Sequence, residues 1–183
     1  MAEYGFGCSY REDEFVYGAQ RPGFPGKFVQ RQVVENWLDF IKKQGISRII
    51  CLLSEDELSY YRLIAGGLLG IYADNFGADN VLWAPTSDRH LCSSSALKQI
   101  CYFMRSGMLS GAKTVVHCSS GQGRTGLVLA AWLIYNYSIS ERKALRLVEE
   151  LNRSPREAVF YGNATEAELL NVLSVARELD KPV

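Results

Sequence analysis

Residues 114–135 read TVVHCSSGQGRTGLVLAAWLIY. A β-branched run ends at His117 and Cys118, a glycine-rich turn follows, and Arg124 and Thr125 open an apolar segment of helical length. A strand that feeds a helix through such a loop makes an anion site, because unpaired amides and the helix dipole both favour negative charge there. Gly121 and Gly123 let the backbone curve tightly enough to aim the amides of Ser119, Ser120, Gly121, Gln122, Gly123 and Arg124 inward. Arg124 adds a planar guanidinium suited to two phosphate oxygens. Cys118 turns binding into chemistry. A free thiol with a pKa of ~8.5 is little ionised at neutral pH, and a helix N-terminus with a neighbouring arginine lowers it. The field that holds a phosphate thereby creates a thiolate aimed at phosphorus. Thr125 can donate a hydrogen bond to the sulfur and help it leave.

Two competing readings fit parts of this stretch. GQGRTG matches G-x-G-x-x-G, a dinucleotide fingerprint. Its context is wrong: two serines separate the strand from the first glycine, and SISERKALRLVEEL after the helix is another helix rather than a second strand ending in an acid. Alternatively Cys118 is a buried structural cysteine, the usual fate of a free thiol. The histidine, cysteine, two glycines, arginine and threonine within ten residues are far more specific than any one of them.

The elements that must position this loop alternate. Residues 1–30, rich in glycine, proline and aromatics, read as an irregular, turn-dominated lead-in. VVENWLDFIKKQG has helical spacing with Gly45 as its stop, and SRIICLL is a buried strand. SEDE reads as a capping box, Ser54 with Glu57, opening a helix through LSYYRLI. AGGLLGIYADNFGADN is ambiguous. VLWAPT is a strand, SSALKQICYFMRSG a helix, AKTVVHC a strand and TGLVLAAWLIYNY a buried helix. Two helices follow, one capped by Ser140 and one by a Thr165–Glu168 box. This pattern predicts a single α/β domain over residues 1–183, with a mainly parallel sheet covered by helices on both faces.

Composition sets the surroundings. The 183 residues are 48% hydrophobic, 20 basic residues balance 20 acidic ones, and neither nucleic acid nor an acidic membrane is favoured as partner. No signal-peptide pattern or membrane-length apolar run is visible. Cys8, Cys51, Cys92, Cys101 and Cys118 form no C-x-x-C pair, and two histidines argue against zinc. The expectation is a cytoplasmic monomer with reduced thiols and neither metal nor cofactor.

HCSSGQGRTG resembles the signature H-C-x-x-G-x-x-R-[ST]-G of the cysteine-dependent protein tyrosine phosphatase superfamily, matching at every fixed position. The chain's size is similar to that of the dual-specificity branch, and YGAQRPG resembles, more weakly, an N-terminal segment of small microbial members. The resemblance implies a sheet flanked by helices and an aspartate general acid on a loop some thirty residues before the cysteine. WAPTSDRHLCSSSALKQI supplies that loop, with Asp88 30 positions before Cys118. Asp79 competes but precedes the strand, at the wrong sheet edge. By the same resemblance Cys118 attacks phosphorus, Arg124 and the loop amides hold the phosphoryl oxygens, and His117 gives structural support. Some members have a resolving cysteine near the position of Cys51, which makes Cys51 a candidate redox partner of Cys118.

The implied function is hydrolysis of phosphotyrosine, and of phosphoserine or phosphothreonine, in proteins or peptides through a cysteinyl-phosphate. Phosphatases of RNA 5′ ends or small phosphorylated molecules, and a non-catalytic phosphoprotein-binding module, are the alternatives. The neutral loop residues Ser119, Ser120, Gln122 and Gly123 disfavour an inositide. No counterpart of the water-placing glutamine loop of tyrosine-specific domains is found after Tyr137. Arg153, Arg156 and Asn163 are candidates to line the site, and Tyr60 and Tyr61 to wall it.

Overall fold

The computed structural model describes residues 3–180. In chain order the elements are β1 (Gly7–Cys8), β2 (Val16–Gln20), α1 (Arg31–Lys43), β3 (Ile46–Cys51), α2 (Glu55–Leu58), α3 (Gly67–Phe76), β4 (Val81–Trp83), α4 (Ser94–Leu109), β5 (Lys113–Cys118), α5 (Gly123–Tyr137), α6 (Glu141–Glu150), α7 (Glu157–Phe160) and α8 (Glu166–Glu178). One five-stranded sheet has the order β1-β2-β5-β3-β4, and only the β1–β2 pair is antiparallel. The mainly parallel single-domain α/β architecture is the one the sequence predicts. Gln20 lies opposite Cys118, and Cys51 lies opposite both His117 and Trp83. The carboxyl ends of four strands therefore share one edge, where open α/β sheets form their ligand crevices. No helix among the described residues is long and apolar enough to cross a membrane.

The two faces bury different layers. On one, Val34, Trp37, Leu38 and Ile41 of α1 pack with Leu68, Ile71 and Tyr72 of α3. Gly45, at φ +79°, closes α1 by donating its N–H to the Lys42 carbonyl. On the other, α5 is buried on every side from Gly123 to Tyr135, enclosed by the sheet, α4, α6 and α8. A helix apolar all round is stable only in such a position.

The first thirty residues correct the sequence reading. They hold β1 and β2, and β2 is an inner strand paired in parallel with β5. Gly18, read as a turn residue, is a close-approach residue: a Cβ there would lie 2.8 Å from the Thr125 methyl and 3.0 Å from Leu129 Cδ1. Asp13 anchors the segment, accepting from Trp132 Nε1 at 2.6 Å and the Phe15 amide at 2.8 Å. The ambiguous middle resolves into α3. The helix expected through LSYYRLI stops at Leu58 and continues as a 3₁₀ turn over Ser59–Tyr61. Both capping boxes are formed, whereas Ser140 sits at the N-cap of α6 with no side-chain cap bond.

His117 is fully buried on the α1/α3 side of β5, edge-on to the rings of Trp37 and Tyr72. Its Nδ1 lies 3.2 Å from the Cys118 carbonyl, which can only accept, so Nδ1 carries the hydrogen. Nε2 then accepts from the Tyr72 hydroxyl at 3.0 Å. This is a neutral imidazole, and burial pushes its pKa from 6.5 down to about 4. As pH falls below 6.5 the unfolded chain takes the proton first, so stability is lost between 6.5 and about 4. The loss attributable to His117 is about 3 kcal/mol by pH 4. Urea unfolding at stepped pH is expected to show this slope in the wild type and a flatter one in His117→Gln; equal slopes would disprove it.

Candidate active site

The loop after β5 owes its shape to where its carbonyls go. The Cys118 carbonyl is taken by the His117 ring, and the Ser119 carbonyl accepts the Arg21 amide at 3.1 Å. The Gly121 carbonyl accepts from Arg153 Nη1 at 2.6 Å, and the Gln122 carbonyl accepts the Gly126 amide at 2.8 Å. These peptides are trans, so the N–H groups of Ser119, Ser120, Gln122 and Gly123 turn to the opposite side. Gly121, at φ +73°, lies against β2; a Cβ there would be 2.6 Å from the Ala19 carbonyl oxygen. The inward amides and the N-terminus of α5 form an oxyanion cradle around Cys118, which is only 1% exposed.

Arg124 leaves α5 toward the same centre and is buried with two carboxylates. Glu57 binds it end-on, Nη1 to Oε2 at 2.6 Å and Nη2 to Oε1 at 2.8 Å. Nη2 also reaches Asp88 Oδ1 at 2.8 Å, and Nη1 the Thr86 carbonyl at 2.9 Å. Burial works against the guanidinium charge, but the bonds and charge of Glu57, with Cys118 and Asp88, outweigh it and hold the pKa above the usual arginine value. Arg124 Nε is buried and has no hydrogen-bond partner. A buried orphan donor is uncommon in folded proteins, and an oxyanion in the cradle would satisfy it.

The structure thus brings Cys118, Ser119, Ser120, Gly121, Gln122, Gly123, Arg124 and Asp88 together at one sheet edge. Asp79 lies just before β4, at the other edge. Thr125 is also at the loop, but its buried hydroxyl makes no hydrogen bond, so the expected bond to the Cys118 sulfur is not formed. Cys51, the candidate redox partner, lies on the neighbouring strand in a different layer from Cys118. It shares a face with His117 and packs in the Trp37–Tyr72 layer, whereas Cys118 belongs to the α4/α5 layer together with Cys92. Burial pushes the Cys51 thiol up to about 12, and the charge of Cys118 acts in the same direction.

Of the candidate lining residues, Arg153 lies beneath the loop rather than in it. Arg156 is engaged by Glu149 and Glu166. Asn163 Nδ2 donates to the Arg89 carbonyl at 3.0 Å and so holds the loop that carries Asp88. The Tyr61 hydroxyl is buried on the Pro22 carbonyl, while Tyr60 lies at the margin beneath the Arg21 guanidinium.

Three residues escaped the sequence reading as site residues. Glu57 was visible only as a helix cap. Arg21 braces the loop, Nε to Ser119 Oγ at 3.0 Å, and its signal was one arginine in a segment taken for irregular. Glu157 opens α7 and packs on Gly123, where any Cβ would meet its carboxylate. Burial, and then the charge of Asp88, raise the Glu157 pKa.

The family model for polymorphic toxin system DSP-PTPase phosphatases matches residues 25–138, more than half of the chain. The chain belongs to this family. Its cysteine phosphatase fold recurs in Tk-PTP in the active form, at 23% identity over 92% of this chain and 95% of that one, with a TM-score of 0.67. Kinase associated phosphatase gives 24% identity, 90% and 89% coverage and a TM-score of 0.67. PTPMT1 in complex with PI(5)P gives 13%, 96% of each chain and 0.65. No curated protein matches.

The Glu57–Arg124 pair makes a direct prediction. Burial alone would raise the Glu57 pKa, but Arg124 and Ser54 outweigh it and hold the carboxyl below its usual range. The pair therefore contributes stability that is present above the unfolded pKa of ~4.3 and is lost as pH falls through the lower folded value. Glu57→Gln keeps the shape and removes the charge. It is expected to cost about 3–5 kcal/mol in urea unfolding at pH 7, and less at pH 3. An equal cost at both pH values would show that the charge pair is not the source.

Proposed function

We propose that this chain hydrolyses phosphomonoesters through a cysteinyl-phosphate, with phosphotyrosine in proteins or peptides as its preferred substrate. The observation that carries the reading is the position of the Cys118 sulfur. It lies buried at the floor of a ring of inward amides, beside a guanidinium with one orphan N–H and with Asp88 at its outer edge. The Cys118 thiolate attacks phosphorus, an S–P bond forms and the P–O bond to the leaving group breaks. Asp88 gives its proton to the departing oxygen, then takes one from the water that cleaves the S–P bond and releases phosphate. The transition state is loose, so positioning and charge stabilisation by Arg124 and the amides of Ser119 to Arg124 supply most of the catalysis.

Depth and rim support the substrate. A recessed nucleophile is reached by a long, flat phosphoaryl side chain more readily than by phosphoserine. The margin is aromatic: Phe24 and Tyr60 lie under Arg21, and Tyr161 under Arg89 next to Asp88. The loop itself carries no lysine to meet a polyanionic headgroup such as the PI(5)P held by PTPMT1.

Two variants test the mechanism. Cys118→Ser is expected to abolish turnover of a phosphotyrosine peptide in the presence of chelator, yet still bind orthovanadate or sulfate, because the amide cradle is intact. Near-normal turnover would sink the mechanism. Asp88→Asn is expected to lower kcat by about 10²- to 10⁴-fold, with the larger loss on phosphoserine, the poorer leaving group. Equal activity on all leaving groups would remove Asp88 from the acid role. Comparison of phosphotyrosine peptide with PI(5)P and an RNA 5′-phosphate, by kcat/KM, tests the substrate class; a preference for either of the latter would overturn it.

A further inference from the structure

We propose that Arg153 is a positioning residue, a buried cation without a carboxylate partner that shapes the phosphate loop from behind and places its positive charge beneath the nucleophile. The inference rests on Cys118 being the nucleophile.

Arg153 lies between α6 and α7 and is 6% exposed. Nη1 donates to the Gly121 carbonyl at 2.6 Å; Nη2 donates to the carbonyls of Gly5 at 2.9 Å and Gly18 at 3.0 Å. Nε has no partner. Every acceptor is an uncharged carbonyl, and Arg153 takes part in no ion pair among the described residues. An arginine retained in this state is costly, because several kcal/mol of ion desolvation is offset only by dipoles. Burial accordingly draws its pKa down, and the negative charges that oppose this are the thiolate forms of Cys118 and Cys8.

The carboxylates around Cys118 are engaged with other cations. Three buried arginines bear on the loop: Arg124 from α5, Arg21 from the end of β2, and Arg153. Glu57 and Asp88 both bind Arg124. Glu157, on α7, faces Asp88, Arg124 and Arg89, and burial followed by the charge of Asp88 raises its pKa. His117 is neutral, and burial keeps the Cys51 and Cys92 thiols protonated, at about 12 and about 11. Arg21 sits against the rings of Tyr60 and Phe24. Arg21 and Arg153 are thus both buried without a carboxylate partner; of the two, Arg153 is the one whose guanidinium holds a carbonyl of the loop itself, and the charges that favour its ionised form are those of Cys118 and Cys8. Its geometric role follows from the same bond: by taking the Gly121 carbonyl outward it turns the Gln122 amide to the opposite side, where that amide donates to Ser120 Oγ at 3.3 Å.

The test titrates Cys118 directly. The rate of its alkylation by iodoacetamide is followed against pH by peptide mapping, alongside kcat and KM for an aryl phosphate. A low alkylation midpoint in the wild type is the requirement of the nucleophile reading, and an ordinary midpoint there would defeat that reading rather than this one. Given a low midpoint, Arg153→Met is expected to raise it by about one pH unit, about tenfold less thiolate below the midpoint. Arg153→Lys is expected to restore the midpoint but not kcat, since one ammonium cannot span three carbonyls. Arg153→Gln, which keeps a donor for Gly121, is the second neutral variant should the methionine variant not fold. A folded neutral variant whose midpoint is unmoved, or a lysine variant shifted as far as the neutral ones, overturns the proposal and leaves Arg153 a structural brace.

Discussion

One constraint organises the molecule: the peptide plane. A loop can present amides to an anion only if the carbonyls of the same peptides are held elsewhere, and a buried carbonyl must find a donor. Here the donors come from four separate places, the His117 ring on β5, the Arg21 amide after β2, Arg153 between α6 and α7, and the first turn of α5. The register of β2 against β5 is what makes the second possible, since Gln20 opposite Cys118 brings Arg21 beside Ser119. The sheet order, the buried histidine and the α6–α7 turn are thus all parts of one device that aims a ring of N–H groups.

The same economy governs charge. Hydrogen bonds to a charged group contribute about 1.5–3 kcal/mol each, enough for three carbonyls to hold Arg153 in place without neutralising it. Arg124 is treated differently: Glu57 meets it end-on, and Glu57 Oε2 is also the oxygen that caps α2, accepting from the Ser54 amide at 3.0 Å. One carboxylate oxygen therefore closes a helix and orients the phosphate-facing guanidinium. A rotation of Arg124 would open the cap, and this couples the first turn of α2 to the loop.

What could be read from the sequence was what is local. Cys118, Arg124 and the loop glycines lie within seven positions, and Asp88 sits on a loop of fixed place between a strand and a helix. The capping boxes at Ser54 and Thr165 were legible for the same reason. Glu57 was legible as a cap and illegible as a partner of Arg124, 67 positions away, because nothing local marks the second contact. Arg21 and Arg153 were harder still, since their main partners are backbone carbonyls, which carry no residue identity. β2 was hidden by Gly18: a glycine amid glycines and prolines reads as a turn, yet this one is small because Thr125, Leu129 and Arg153 crowd it. For Cys51 the sequence left the parity open. Its place at a strand end was right, but its register partner is His117, and a one-residue offset across a sheet is a change of face.

The placement of Asp88 follows from in-line geometry. In a phosphoryl transfer the attacking and leaving atoms stand on opposite sides of phosphorus. Cys118 is at the floor, so the leaving oxygen of a bound ester faces the mouth, and a proton donor has to stand there. Asp88, with its side chain 56% exposed, stands at the mouth, yet one of its oxygens is tied to Arg124 at 2.8 Å. Its loop is fixed at three further points: the Thr86 amide donates to the Leu52 carbonyl, the Thr86 carbonyl accepts from Arg124, and the Arg89 carbonyl accepts from Asn163. Arg124 is therefore the shared reference for both ends of the proposed reaction. In that proposal it would set the phosphoryl group against the sulfur, and the same guanidinium, through Nη2, holds the Asp88 carboxyl group at the mouth.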